Sequence, residues 1–321
     1  YKMYRSNLPQ SQNSGSYFVT DGGLETVLIF EQGFELPEFA SFVLLDTQTG
    51  RNSLEDYYRT YLGLARENGV GIVVETPTWR ASKDYGEKIN PEKYSPQKLF
   101  ELNKIGAEMI QNLRSEYETV DTKIVISGSI GPRSDGYNPS SFMSVEQAKE
   151  YHSPQIQAFK ESAADFVTAL TLTYPAEAIG ICTAANEIGI KVVISFTVET
   201  DGKLPNGQDF LSAVEEVEAA AQVEYFMINC AHPTHFRRIF ETGDQDILKR
   251  VCGLKVNASP KSHSELDECT ELDCGNPQEL AEEVNHLRSV HPHITICGGC
   301  CGTNHLHIAE ICSRNLCAPS M

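Results

Sequence analysis

Ten cysteines stand among the 321 residues, and all but Cys182 lie at or beyond position 230. Two are adjacent, in the run Gly298-Gly299-Cys300-Cys301-Gly302, and a third follows an amide in Asn229-Cys230. Neighbouring cysteines do not easily bond each other, but both sulfurs can face one ion if the chain turns sharply. Glycine tolerates positive φ, so Gly298, Gly299 and Gly302 are read as the residues that permit the turn. With Cys230 added, three thiolates at about 2.3 Å would hold a tetrahedral Zn2+ with one position open, the arrangement of a catalytic site. Soft sulfur donors select zinc over magnesium or calcium. Three thiolates leave the metal centre net negative, which makes it poor at polarising carbonyls or generating hydroxide. It can still take a substrate thiol as a fourth sulfur, release its proton and keep it nucleophilic at neutral pH. Zinc does no redox chemistry, so alkylation of that thiolate is the expected reaction class. The competing reading, small buried hydrophobes, is adopted for Cys182, Cys252, Cys297 and Cys312, which sit in apolar runs. Cys269 and Cys274 form a weaker competing metal or disulfide pair in a polar, acidic loop.

For sulfurs at 230 and 300–301 to meet, the fold must join distant segments. Short apolar, β-branched runs alternate with amphipathic ones along the chain. Strands are expected at Tyr17–Thr20, Gly71–Glu75, Lys123–Ser127, Asp165–Leu170, Lys191–Phe196, Glu224–Ile228, Val251–Val256 and Ile294–Cys297. Helical periodicity covers Ser53–Asn68, Pro96–Tyr117, Ser144–Ser162, Glu177–Ile188, Phe210–Gln222, Thr234–Glu241, Pro277–Val290 and Thr303–Asn315. End signals agree: Ser53 and Ser95 as caps, a Ser144/Gln147 capping box, and Gly189 as a stop. Eight strands, each followed by a helix, predict a closed (β/α)8 TIM-type barrel, an α/β single domain. In such a barrel the ends of strands six and eight lie roughly 10 Å apart, within reach of one ion. The division is an N-terminal arm, 1–16, followed by the barrel, 17–321. Long loops follow strand one (Phe30–Asn52) and strand seven (Asn257–Asn276), on the face where these barrels carry chemistry. An open doubly wound sheet is the alternative, but neither G-x-G-x-x-G nor G-x-x-x-x-G-K-[ST] follows any strand.

Composition narrows the partners. Lys and Arg total 26 against 44 Asp and Glu, a net charge of −18. That argues against a nucleic-acid surface, which needs clustered positive charge, and against docking on anionic lipid. No run approaches the ~18 to 20 apolar residues of a membrane span. The opening segment lacks the apolar core of a secretory signal, so a cytoplasmic location with reduced thiols is expected.

The residues past each strand carry a family pattern. Gly298-Gly299-Cys300-Cys301-Gly302-Thr303, Asn229-Cys230 with Pro233, and Asp21-Gly22-Gly23 with Thr26 resemble the homocysteine S-methyltransferase family. Glu75-Thr76 through Ala81-Ser82 and Gly128-Ser129-Ile130-Gly131-Pro132 look like further family segments. The similarity spans about residues 17 to 315, and the double cysteine with its upstream Asn-Cys is its most specific part. The resemblance implies a (β/α)8 barrel, zinc on Cys230, Cys300 and Cys301, and direct methyl transfer to a zinc-bound thiolate. It also implies that the Asp21-Gly22-Gly23 backbone helps bind an amino-acid carboxylate.

One departure stands out. Members of the family typically end strand four with a Glu that holds the amino group of homocysteine, whereas here Leu170 occupies that position. A charged amine opposite leucine loses a bond worth about 1.5–3 kcal/mol, so either Glu25 or Glu75 compensates or the acceptor is another thiol. Trp79 offers a π face to a methylated cation or serves as rim packing. Arg80 suggests an anionic substrate group or an ion pair with Glu75, and Asn229 joins the substrate-contacting set. His232, His235, His305 and His307 are read as structural. The partners expected are thus a small thiol, homocysteine-like by default, and an onium methyl donor, S-methylmethionine or S-adenosylmethionine. The alternatives are the same zinc chemistry on a different thiol, or a zinc- and thiol-binding protein without turnover.

Overall fold

In the computed structural model, which describes residues 4–11, 17–137, 141–267 and 271–313, eight parallel strands close on themselves in sequence order. They are β1 (Phe18–Val19), β2 (Gly71–Glu75), β3 (Ile124–Ile130), β4 (Phe166–Leu172), β5 (Val192–Phe196), β6 (Phe226–Asn229), β7 (Val251–Val256) and β8 (Ile296–Gly299). β8 returns to pair with β1 at Ile296–Phe18 and Cys297–Val19, which rules out the open sheet. Apart from half-buried Cys252 every strand residue is buried, as a parallel sheet covered on both faces requires.

The observed strands match the expectation most closely where apolar residues run to the end. β2 and β7 coincide with it. β3, β4, β6 and β8 continue one to three residues further, through Gly128-Ser129-Ile130, Thr171-Leu172, Asn229 and Gly298-Gly299. Those small and polar residues look like loop in the sequence, but neighbouring strands hold them in register; Ser129 pairs with Thr168 and Gly299 with Val256. They form the mouth of the barrel.

Helix ends follow their caps. Ser95 accepts from Lys98 N, Ser144 and Gln147 close a reciprocal capping box, and Gly189 ends its helix at φ 81°. Ser53 is not a cap. That helix, Gln48–Glu67, starts five residues earlier on Thr47, whose side chain accepts from Gly50 N, and Ser53 bonds Thr49 O inside it. Gly50 lies in the first turn of that helix, where a Cβ would lie 2.3 Å from Leu44 O. Phe30–Asn52 is therefore largely helical, with short turns at Val27–Glu31, Pro37–Phe39 and Ser41–Asp46. A further helix, Lys83–Ile89, was not expected, and Asn257–Asn276 carries a short one, His263–Asp267.

The described part of the arm closes the barrel floor. Tyr4 and Leu8 are buried against Phe18, Val73, Val125, Phe166, Val193, Tyr225, Met227 and Ile296. Tyr4 N donates to Asp165 Oδ1 at 2.6 Å, and Arg5 reaches the carbonyls of Phe159, Ser162 and Ala164. Among the described residues no helix is long and apolar enough to cross a membrane.

Candidate functional site: a three-sulfur cluster at the barrel mouth

β6 and β8 deliver the sulfurs. Cys230 follows the last residue of β6, Cys300 and Cys301 follow β8, and the three Sγ atoms all lie within 4.8 Å of one another. Cys230 and Cys301 are 3.5 Å apart. Among the described residues no other cluster of three or more His, Cys, Asp or Glu donors is this tight. Cys230 is buried, whereas Cys300 and Cys301 are half-buried at the opening.

The glycines act differently from the expectation. Only Gly302 has positive φ, at 80°. Gly298 and Gly299 are extended strand residues that make room instead: a Cβ would lie 1.9 Å from Thr20 Oγ1 at 298 and 2.0 Å from Thr303 Oγ1 at 299. The strained turn belongs to Cys230 itself, with φ 57°. Such a conformation costs a non-glycine residue about 1–3 kcal/mol and persists only where surroundings impose it. Here three donors converge on the Cys230 carbonyl: His263 Nε2 at 2.7 Å, Asn257 Nδ2 at 3.0 Å and Thr197 Oγ1 at 3.3 Å.

Two residues the sequence reading missed shape the cluster. Tyr137, on the loop after β3, brings its hydroxyl to 2.6 Å from Cys230 Sγ and 3.6 Å from Cys301 Sγ. Its ring stacks on His263 with centroids 4.0 Å apart. Burial pushes its pKa well above the usual phenol value, so the hydroxyl keeps its proton. The thiols split among themselves: hydrogen bonds with Cys230 and Cys300 hold Cys301 well below the usual thiol value, while hydrogen bonds with Cys300 and Cys301 push Cys230 up. The signal available for Tyr137 was its place in Gly131-Pro132…Gly136-Tyr137, a glycine-bearing loop on the chemical face.

Lys255 was the other omission. It lies on β7 between Leu254 and Val256, and it points inward, buried, to Asp21 Oδ1 at 2.5 Å and Glu75 Oε2 at 3.5 Å. Tyr57 donates to Asp21 Oδ2 at 3.2 Å. Burial raises the Asp21 and Glu75 pKa values against the pull of Lys255, Glu75 to about 7. One lysine inside an apolar strand was the sequence signal.

The remaining predicted residues divide. Asp21, Gly22 and Gly23 pack directly on the cysteine turn: Gly299 N donates to Asp21 O, and Gly23 N to Thr303 O, both at 3.0 Å. The Gly23 N–H is therefore committed, while the Gly22 N–H has no partner among the described residues. Glu25 accepts from Ser41 Oγ at 2.7 Å, and burial pushes its pKa up to about 7. Asn229 is engaged by its neighbours, accepting from Thr171 N and Ser195 Oγ and donating to Thr171 Oγ1; it positions the ends of β4 and β5. Trp79 donates to Leu170 O at 3.3 Å, and the Arg80 guanidinium stacks on its ring at 3.9 Å. Arg80 does not pair with Glu75 as expected. It lies between Trp79 and Tyr85 and bonds the Tyr85 hydroxyl and Ser134 O, because Lys255 already holds Glu75.

Three of the four histidines read as structural make structural contacts. His235 and His307 hold the carbonyls of Pro260 and Cys274, and His232 caps its helix. Cys274 is a free thiol, and Cys269 lies outside the described residues.

The donor set fits zinc. Sulfurs at about 2.3 Å on a tetrahedral ion stand roughly 3.8 Å apart, and the observed cluster already spans that range without backbone rearrangement.

Comparison with known proteins agrees with this architecture. The homocysteine S-methyltransferase family matches residues 18–314. No curated protein is similar enough to match. Among solved structures, the Escherichia coli homocysteine methyltransferase MmuM is similar at 18% identity, over 94% of this chain and 97% of that one. TM-scores are 0.73 for its oxidised form and 0.71 for its metallated form. With the family pattern covering nearly the whole barrel, this chain belongs to the homocysteine S-methyltransferase family and is a methyltransferase.

Proposed function

We propose that this methyltransferase is zinc-dependent and moves a methyl group from an onium donor, S-methylmethionine or S-adenosylmethionine, to a small thiol, homocysteine-like by default. The observation that carries the reading is the meeting of Cys230, Cys300 and Cys301 at the mouth. These three residues would hold the ion. Zinc, when bound, supplies affinity for a fourth sulfur and lowers that sulfur's hold on its proton.

The chain's own groups do the rest. The Gly22 N–H and the Asp21 segment stand ready for an amino-acid carboxylate, while Glu25 and Glu75 offer acids to a cation. An onium cation entering the mouth would draw both glutamates toward their ionised forms. The acceptor sulfur attacks the methyl carbon in line; its S–C bond forms as the donor's C–S bond breaks, and the electron pair leaves on the neutral sulfide. Orientation by the rim is the main rate contribution.

A specific observation favours a second acceptor class. Leu170, at the position where the family's amine-binding acid is expected, is buried, with its carbonyl bonded by Trp79, and β4 carries no carboxylate at the mouth. A thiol lacking the amino group would lose nothing there. Mass spectrometry of zinc-loaded protein with a panel of thiols and methyl donors tests both readings. Methylated homocysteine supports the first, preference for a desamino thiol the second, and no methylated thiol with any onium donor sinks both. Cys301→Ala should abolish zinc binding and transfer together; zinc retained at one per chain would count against the ligand assignment.

A further inference from the structure

A methyltransferase that carries its own cysteines beside an electrophilic methyl group must spare them while alkylating the acceptor. The cluster is asymmetric in this respect. Tyr137 brings its hydroxyl to 2.6 Å from Cys230 Sγ but 3.6 Å from Cys301 Sγ. The phenol is also held in place from three sides. Its ring lies on His263, whose Nε2 donates to the Cys230 carbonyl at 2.7 Å and whose Nδ1 faces Glu199 at 3.2 Å. Gly136 sits so close to β4 that a Cβ would lie 2.8 Å from Thr171 Cγ2. At the start of the loop, Arg133 N donates to Glu177 Oε1 at 2.8 Å and its guanidinium pairs with Asp84 at 2.7 Å. A hydroxyl this well anchored is preorganised rather than passing.

We propose that Tyr137 protects Cys230 from self-methylation by donating a hydrogen bond to its thiolate, leaving the incoming acceptor as the more nucleophilic sulfur. The inference rests on the zinc reading above, because a metal-bound cysteine has no proton and can only accept from the phenol. Hydrogen bonds to charged groups are the stronger ones, and this one withdraws electron density from the sulfur it reaches. In the reaction being suppressed, Cys230 Sγ attacks the methyl carbon of the donor. A Cys230 S–CH3 bond forms, the donor's C–S bond breaks, and its electron pair leaves on the neutral sulfide. The product is a neutral thioether, which binds zinc poorly. Tyr137 is thus a positioning and protecting residue, one that does not touch the reacting methyl group.

The test compares zinc-loaded wild type with Tyr137→Phe, which keeps the ring stacked on His263 and removes only the hydroxyl. Each is exposed, without acceptor, to S-methylmethionine and separately to methyl iodide, which needs no donor-binding site. Peptide mass spectrometry follows methylation of each cysteine, and a chromogenic chelator follows released zinc. Tyr137→Phe should methylate Cys230 at least ten-fold faster, with zinc release in step and no matching change at Cys300. Equal rates at Cys230 would overturn the inference. Cobalt-loaded proteins give a readout independent of turnover. The sulfur-to-cobalt charge-transfer band should move to lower energy in the variant with the ligand-field bands unchanged. Loss of an oxygen donor from the ligand field would instead put the phenol on the metal and overturn the protective role. Wild-type protein that takes up no zinc would overturn the underlying reading, a failure distinguishable from equal methylation in two loaded proteins.

Discussion

The barrel buries a charged cluster at each end, and the two are built differently. At the floor Arg114 meets Asp165 at 2.6 Å, one base with one acid. The Asp165 oxygens also accept from Tyr4 N and Ile126 N, and Arg114 reaches Ile124 O. At the mouth Lys255 faces two acids, Asp21 at 2.5 Å and Glu75 at 3.5 Å, with Glu25 and three thiols nearby. The floor is balanced and sealed by the arm. The mouth has more acids than bases, and burial favours the protonated forms of Glu25 and Glu75. Barrels of this kind place stability at one end and chemistry at the other, and the charge count separates them here.

Breaking the floor should have the largest thermodynamic effect. Arg114→Ala leaves a buried carboxylate without its base, at an expected cost of about 3–5 kcal/mol. Urea unfolding would measure this, while the folded fraction should still bind zinc; a loss of zinc from folded protein would contradict the separation of the two ends. Lys255→Met at the mouth should cost less, about 1–3 kcal/mol, because Asp21 and Glu75 can take up protons or water there. A cost equal to that of Arg114→Ala at pH 5 would erase the distinction.

A smaller effect concerns pH. Burial raises Glu25 and Glu75 from their ordinary 4.5 to about 7 in the folded chain. Between those values the unfolded chain releases protons that the folded chain keeps, so raising the pH favours unfolding. Metal-free protein should therefore lose stability from about pH 4.5 to 7, with the full penalty present above that window. Glu75→Gln should flatten part of this slope in thermal scans from pH 5 to 8, whereas an unchanged slope would remove Glu75 as its source. The smallest change tests the arm. Tyr4→Phe deletes the hydroxyl bond to Glu118, 2.7 Å long, and should cost about 0.5–1.5 kcal/mol without altering zinc uptake. A larger loss would mean that the hydroxyl, rather than the buried ring, holds the floor shut.

Much of the barrel was legible because parallel strands buried on both faces leave unbroken apolar runs such as Gly71–Glu75 and Val251–Val256. Legibility failed where identity and conformation part company. Gly298 and Gly299 suggest a turn but serve close packing in β8, and the left-handed turn falls on Cys230, a residue type that gives no such sign. Ser53 similarly suggests a cap but lies inside a helix that begins after Thr47.

Read alone, the amino acids determined the order of the eight strands and nominated Cys230, Cys300 and Cys301, because periodicity and an adjacent cysteine pair are local properties of the chain. Which side chains surround those sulfurs was decided only in three dimensions. Tyr137 and His263 come from loops after different strands, and Lys255 finds Asp21 across 234 positions of sequence. Barrel closure makes those pairings. It sets strand ends a few ångströms apart however far apart they lie along the chain, and no local pattern records that distance.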